Sequence, residues 1–391
     1  MKTWNLENVG YLHIELSNFC NAACPMCPRY IYHTEIIDPS LSLNQMSFED
    51  FKTYFPRTLL ENIHRVTFCG THGDPMTAKD VIPIVEYLYS CNPKMYISVN
   101  TNGGLRNPEF WNELGKLMSD KMHAVTFSID GLEDTNHLYR RRVRWNTLIN
   151  NVKSFINAGG TAYWDYLIFE HNEHQIDTAK KMSIDLGFEK FFSKRALGFS
   201  SNVDGSYKPS PVYDKNGDFE YYLSPPNDEE YVNSGSKKVK HNLTEKVNPE
   251  WYLNFRNNLT TDNLDEKYKI HIDKEIDCKF LHRDKQNSFT ELYINANGLV
   301  IPCCYMGSAI TGSFGEEQEL QVRNIIDNHK DELDLNKQSL EKILESRILD
   351  RLFIKQWSKE KFSDGKPVFC SLMCGKNNSI DRIFVDDGKI Q

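Results

Sequence analysis

With 391 residues, 40% of them hydrophobic and 12% aromatic, the chain is long enough for one large domain plus a smaller one, each with its own core. A net charge of −8 excludes a surface built chiefly to neutralise phosphates, so nucleic acid is not an expected partner; the short basic run at 139–144, "YRRRVR", suits a solvated face or a carboxylate clamp. The N-terminus lacks the apolar core of a signal peptide and no run approaches the roughly 18 apolar residues of a membrane span, which reads as a cytoplasmic protein without a membrane partner.

Along the chain, β-branched and aromatic runs at 11–16, 64–70, 95–100, 123–129, 161–169 and 188–196 read as six strands alternating with amphipathic segments. Asn107 and Pro108 open a helix with Phe110, Leu114 and Leu117 on one face. Leu148, Val152 and Phe155 mark a second helix that ends at Gly159, and a third follows Glu173 and stops at Gly187. Six such units over 1–196 form either an open doubly wound sheet or a partial barrel, and the pattern does not choose between them. Residues 197–274, rich in Tyr, Asn, Ser, Pro and Gly without a sustained period, read as an irregular insertion or linker. Order returns at Asn297-Gly298, a hairpin signal, and at a helix carrying Leu340, Ile343, Leu344, Ile348 and Leu352, giving a small α+β domain over 275–391.

Ten cysteines in a reducing compartment point to metal binding or catalysis rather than disulfides. The spacing C-x3-C-x2-C of Cys20, Cys24 and Cys27 supplies three ligands. Structural zinc needs four, with His13 or His33 the local offers for the last, whereas an iron–sulfur cubane held by three thiolates keeps one iron open to an external ligand. A second group comprises Cys278, Cys303, Cys370 and Cys374; Cys69, Cys91 and Cys304 are left over, and Cys69 and Cys91 suit packed positions.

The three-cysteine loop after the first strand resembles the radical S-adenosylmethionine superfamily, and further stretches add to the likeness. "CGTHGDP" at 69–75 is similar to the family's Gly-Glu-Pro motif, with Asp74 in place of glutamate, and "NTNG" at 100–103, which contains Asn102, follows the third strand. "SIDGLEDTNHLYR" at 128–140 resembles a stretch of the sulfatase-maturase branch. "NANGLVIPCC" resembles the start of the SPASM or twitch auxiliary-cluster region, in the shorter twitch form.

The resemblance implies a partial (β/α)6 barrel with its site at the C-terminal ends of the strands. It implies a [4Fe-4S] cluster on Cys20, Cys24 and Cys27, and S-adenosylmethionine near Met26 (adenine), Gly70, Gly73 and Asp74 (amino group), Asn102, Ser128 and Asp130 (ribose or carboxylate) and Arg140 (carboxylate). Cys278, Cys303 (or Cys304), Cys370 and Cys374 would hold one auxiliary iron–sulfur cluster, though four thiolates suit zinc equally. An electron donor such as flavodoxin or ferredoxin is implied as a partner. With a first strand starting at residue 11, too early for a leader-recognition module, net oxidation of a small molecule is expected ahead of a peptide-modifying maturase. The rival of another class is a zinc-stapled binding protein without catalysis.

Overall fold

The computed structural model describes residues 3–196, 199, 209–232, 249–281, 289–311 and 316–376. The six expected strands are present: β1 Val9–Ile14, β2 Arg65–Phe68, β3 Tyr96–Thr101, β4 His123–Ser128, β5 Ala162–Ile168 and β6 Lys190–Arg195. Four further strands are β7 Ser210–Tyr213, β8 Phe219–Leu223, β9 Thr290–Ile294 and β10 Val300–Ile301. All but β7 and β8 share a sheet in the order β10-β9-β1-β2-β3-β4-β5-β6, with β1/β2, β4/β5 and β5/β6 parallel. A doubly wound sheet reverses its strand order at a switch point; this one runs from β1 to β6 without reversal, the order of a partial (β/α)6 barrel.

The described residues form two compact units, one from those within 1–19, 38–97 and 250–378, the other from those within 20–37 and 98–249. In the second unit, helices Pro108–Met118 and Trp145–Asn157 cover one face of β4 and β5. Phe127 packs with Trp111 at 5.2 Å and with Phe155 at 6.0 Å between ring centres. The Asn107 side chain caps the first helix by accepting from Phe110 N at 3.0 Å. Its buried stripe is Trp111, Leu114, Gly115 and Met118, however, with Phe110 and Leu117 only half-buried. The helix turns by about a residue because Trp111 brings the largest apolar surface to the core, while its indole N–H still reaches Leu105 O at 2.9 Å. The helices at Trp145–Asn157 and Ile176–Leu186 run into Gly159 and Gly187, both at positive φ (+92° and +87°), as the spacing predicts.

In the first unit β9 lies parallel to β1, Leu12 against Leu292 and His13 against Tyr293, so the chain beyond residue 275 contributes to the main sheet. Gly298 at φ +82° turns β9 into the antiparallel β10. The apolar stripe from Leu340 to Leu352 is two short helices, Leu340–Glu345 and Ile348–Leu352, not one: Arg347 between them sits at φ +57°, which a continuous right-handed helix cannot contain. The segment expected to be irregular holds an antiparallel hairpin, β7 with β8, and a helix at Pro249–Asn257; β7 is buried throughout, a signal hidden by its short "SPVY" sequence. Among the described residues no helix is long and apolar enough to cross a membrane.

Candidate functional site

The loop bearing Cys20, Cys24 and Cys27 is shaped by its own backbone. Pro25 and Met26 are the central residues of a turn closed by Cys27 N donating to Cys24 O at 3.0 Å, and proline presets the first of these positions. Met26 is half-buried, as are Cys20 and Cys27, while Cys24 is buried. Tyr30 holds the loop through its hydroxyl on Ala22 O at 2.6 Å, and Ala23 N donates to Arg141 O at 3.0 Å. His33 is committed through Nδ1 to Pro25 O at 2.9 Å. Burial first, then the neighbouring Cys24, pushes the Cys27 thiol up to about 12, the reverse of what an activated nucleophilic cysteine needs.

Side chains from the same unit supply donors to these sulfurs. Asn102, at the end of β3, approaches Cys20 Sγ at 3.7 Å with the Nδ2 that also donates to Asn21 Oδ1 at 2.8 Å. Arg140 directs Nη1 at Cys24 Sγ, 3.7 Å away, while its Nε donates to Asp130 Oδ2 at 2.6 Å. Asp130 is fully buried and its other oxygen accepts from Leu167 N at 2.6 Å, so it serves as the support of Arg140. Burial pushes the Asp130 carboxyl up and Arg140 pulls it back only in part. Two more arginines of the basic run are clamped by carboxylates: Arg141 pairs with Glu35 at 2.7 Å and with Glu220 on β8, and Arg142 pairs with Glu35.

Ser128 ends β4 on the half-buried face, opposite the helix-covered core, and is in register with Asp165. Asp165 pairs with Lys194, and Phe192 and Tyr163 flank them with ring centres 5.9 Å apart. Sequence reading passed over this pair; alternation in "AYWDYLI" and "KFFSKR" is the signal that places Asp165 and Lys194 on one face.

Gly70, Gly73 and Asp74 belong to the other unit. A Cβ on Gly73 would lie 2.0 Å from Ser17 O and one on Gly70 would lie 1.9 Å from Gly73 O, so both positions require glycine for close backbone approach. Asp74 is buried, its N donates to Phe19 O at 2.8 Å, and its Oδ1 accepts from Met76 N at 2.9 Å.

Also in that unit, Cys278, Cys303, Cys370 and Cys374 line one small cavity walled by apolar side chains that include Trp4, Met306, Phe353 and Trp357. Cys303 lines it and Cys304 does not; the Cys304 thiol interacts with His13 instead. Cys278 hydrogen-bonds Cys374, lowering the latter to about 7. Among the described residues no three Cys, His, Asp or Glu side chains gather tightly enough for a single metal ion; a cluster asks instead that sulfurs border a common space.

Residues 14–182 match the model of the Radical SAM superfamily. The FeMo cofactor biosynthesis protein NifB of Methanocaldococcus jannaschii is 25% identical over 142 residues, 36% of this chain and 45% of that protein, so the chain matches less than half the length of this curated relative. Among solved structures, native anSMEcpe with bound AdoMet superposes with a TM-score of 0.49 at 15% identity, covering 95% of this chain and 93% of that one. Streptococcus suis SuiB bound to S-adenosylmethionine gives 0.44 at 14% identity, covering 76% of this chain and 61% of that one. The family match takes in the three-cysteine loop and the motifs that follow β2, β3 and β4, and residues 14–182 are a domain of the radical SAM superfamily.

Proposed function

We propose that the protein is an enzyme that removes a hydrogen atom from an unactivated C–H bond of a small polar molecule, with net oxidation. The observation that carries this reading is the pair of N–H donors aimed at the sulfurs of the family's cysteine loop, Asn102 on Cys20 and Arg140 on Cys24. Such donors stabilise negative charge on cluster thiolates. When bound, a [4Fe-4S] cluster and S-adenosylmethionine supply a 5′-deoxyadenosyl radical, with electrons from a donor such as flavodoxin or ferredoxin.

Cys20, Cys24 and Cys27 would hold that cluster. Arg140, oriented by Asp130, keeps guanidinium nitrogens for the methionine carboxylate; Gly70, Gly73 and Asp74 serve the ammonium, Ser128 the ribose and Met26 the adenine. The half-buried pair Asp165 and Lys194, flanked by Phe192 and Tyr163, supports a small polar substrate. Cys278, Cys303, Cys370 and Cys374, which line one apolar cavity, would hold an auxiliary iron–sulfur cluster able to accept the electron left on the substrate.

The test is anaerobic reconstitution with iron and sulfide, followed by dithionite and S-adenosylmethionine. The wild type should form 5′-deoxyadenosine, and the combined Cys20→Ala, Cys24→Ala and Cys27→Ala variant should form none. An iron-loaded wild type that leaves the cofactor intact, or a triple variant that cleaves it at the wild-type rate, contradicts the reading.

A further inference from the structure

Glu15 follows β1 and is almost wholly buried, at 1% exposure. Its Oε1 accepts from His72 N at 2.7 Å and Gly73 N at 3.1 Å, and its Oε2 accepts from Tyr293 OH at 3.0 Å. Three neutral donors thus meet an acceptor-only carboxylate, whose buried charge stands beside the glycine-rich loop. Tyr293, on β9, is itself 1% exposed; burial and the Glu15 charge raise its pKa, so its hydroxyl stays protonated and able to donate. The loop has no slack on its other side, where Gly73 lies against Ser17 and Asn18.

We infer that Glu15 and Tyr293 are positioning residues that fix the backbone of 70–74 and lend it negative potential, so that a strand beyond residue 289 shapes the receptor for the ammonium end of S-adenosylmethionine. The inference rests on the proposed role of Gly70, Gly73 and Asp74. A merely structural pair would affect every ligand alike, whereas this one discriminates between ligands with and without the amino-acid moiety. A buried charge of this kind would otherwise be a cost that an apolar residue avoids.

The experiment compares binding of S-adenosylmethionine and of 5′-methylthioadenosine, which lacks the amino-acid end, to the reconstituted full-length protein carrying Glu15→Gln or Tyr293→Phe. Glu15→Gln should weaken S-adenosylmethionine on the order of tenfold and Tyr293→Phe a few-fold, as expected for losing charge-assisted hydrogen bonds. Methylthioadenosine affinity and iron content should stay at wild-type values. Equal weakening of both ligands, or no weakening of either, overturns the inference. Should Glu15→Gln fail to fold, Tyr293→Phe, which removes one oxygen, decides alone. A wild type that binds no S-adenosylmethionine would instead refute the proposed function, so the two failures are distinct.

Discussion

The cysteines of the N-terminal loop and those beyond residue 275 meet opposite surroundings. Around Cys20 and Cys24 stand the polar donors Asn102 and Arg140, and Cys20 and Cys27 remain half-buried. Around Cys278, Cys303, Cys370 and Cys374 stand indole, phenyl and thioether groups, and all four sulfurs belong to buried residues. Three thiols with polar company suit a group that must accept an outside ligand and carry changing charge. Four thiols in an apolar shell suit a group closed by the protein itself.

The contrast can be broken from the closed side first. Cys370→Ala should remove the proposed auxiliary cluster, read as loss of about half the bound iron, while 5′-deoxyadenosine formation persists; abolition of both would mean that the two sets do not act separately. On the open side, Asp130→Asn should cost roughly 2–3 kcal/mol in denaturant unfolding, less than the roughly 3–5 kcal/mol of a fully buried pair because Arg140 keeps some exposure. Arg140→Gln should weaken S-adenosylmethionine about tenfold to a hundredfold, measured by equilibrium binding to the brown protein. Asp74→Asn should do less, a few-fold, because the amide oxygen still accepts from Met76 N and preserves the cap. The smallest effects are expected at the spare thiols. Cys304→Ala and Cys69→Ala should both keep iron content and turnover, with no solvent deuterium at the product's reacting carbon. Deuterium incorporation lost on removing either thiol would replace oxidation by epimerisation.

Much of this was legible because parallel βα units write strong local patterns. All six strands of the barrel part, the Asn107 cap and the glycines that end two helices are local signals, and the structure carries them. What escaped depends on distant partners. The place of β9 beside β1 joins segments some 280 residues apart, and no short-range pattern encodes it. The helix register at Trp111 is decided by Phe127 and Phe155, and the break at Arg347 by a single left-handed residue without a glycine to announce it. In the site, cysteine spacing is visible, but which group supports which is not. Asp130 reads as a ligand contact and is found holding Arg140, and Glu15, one residue of the strand run at 11–16 with no role of its own in the sequence, is found holding the glycine-rich loop. A carboxylate between two aliphatic residues, Ile14 and Leu16, was the available hint.

The most direct test of two unlike cysteine sites is electron paramagnetic resonance of the reduced, anaerobic wild type with and without S-adenosylmethionine, alongside iron and zinc counts. Two cluster signals are expected, of which only the one lost in the combined Cys20, Cys24 and Cys27 variant changes when the cofactor is added. Zinc in place of iron, or a cofactor-induced change in the signal that depends on Cys370, would contradict this.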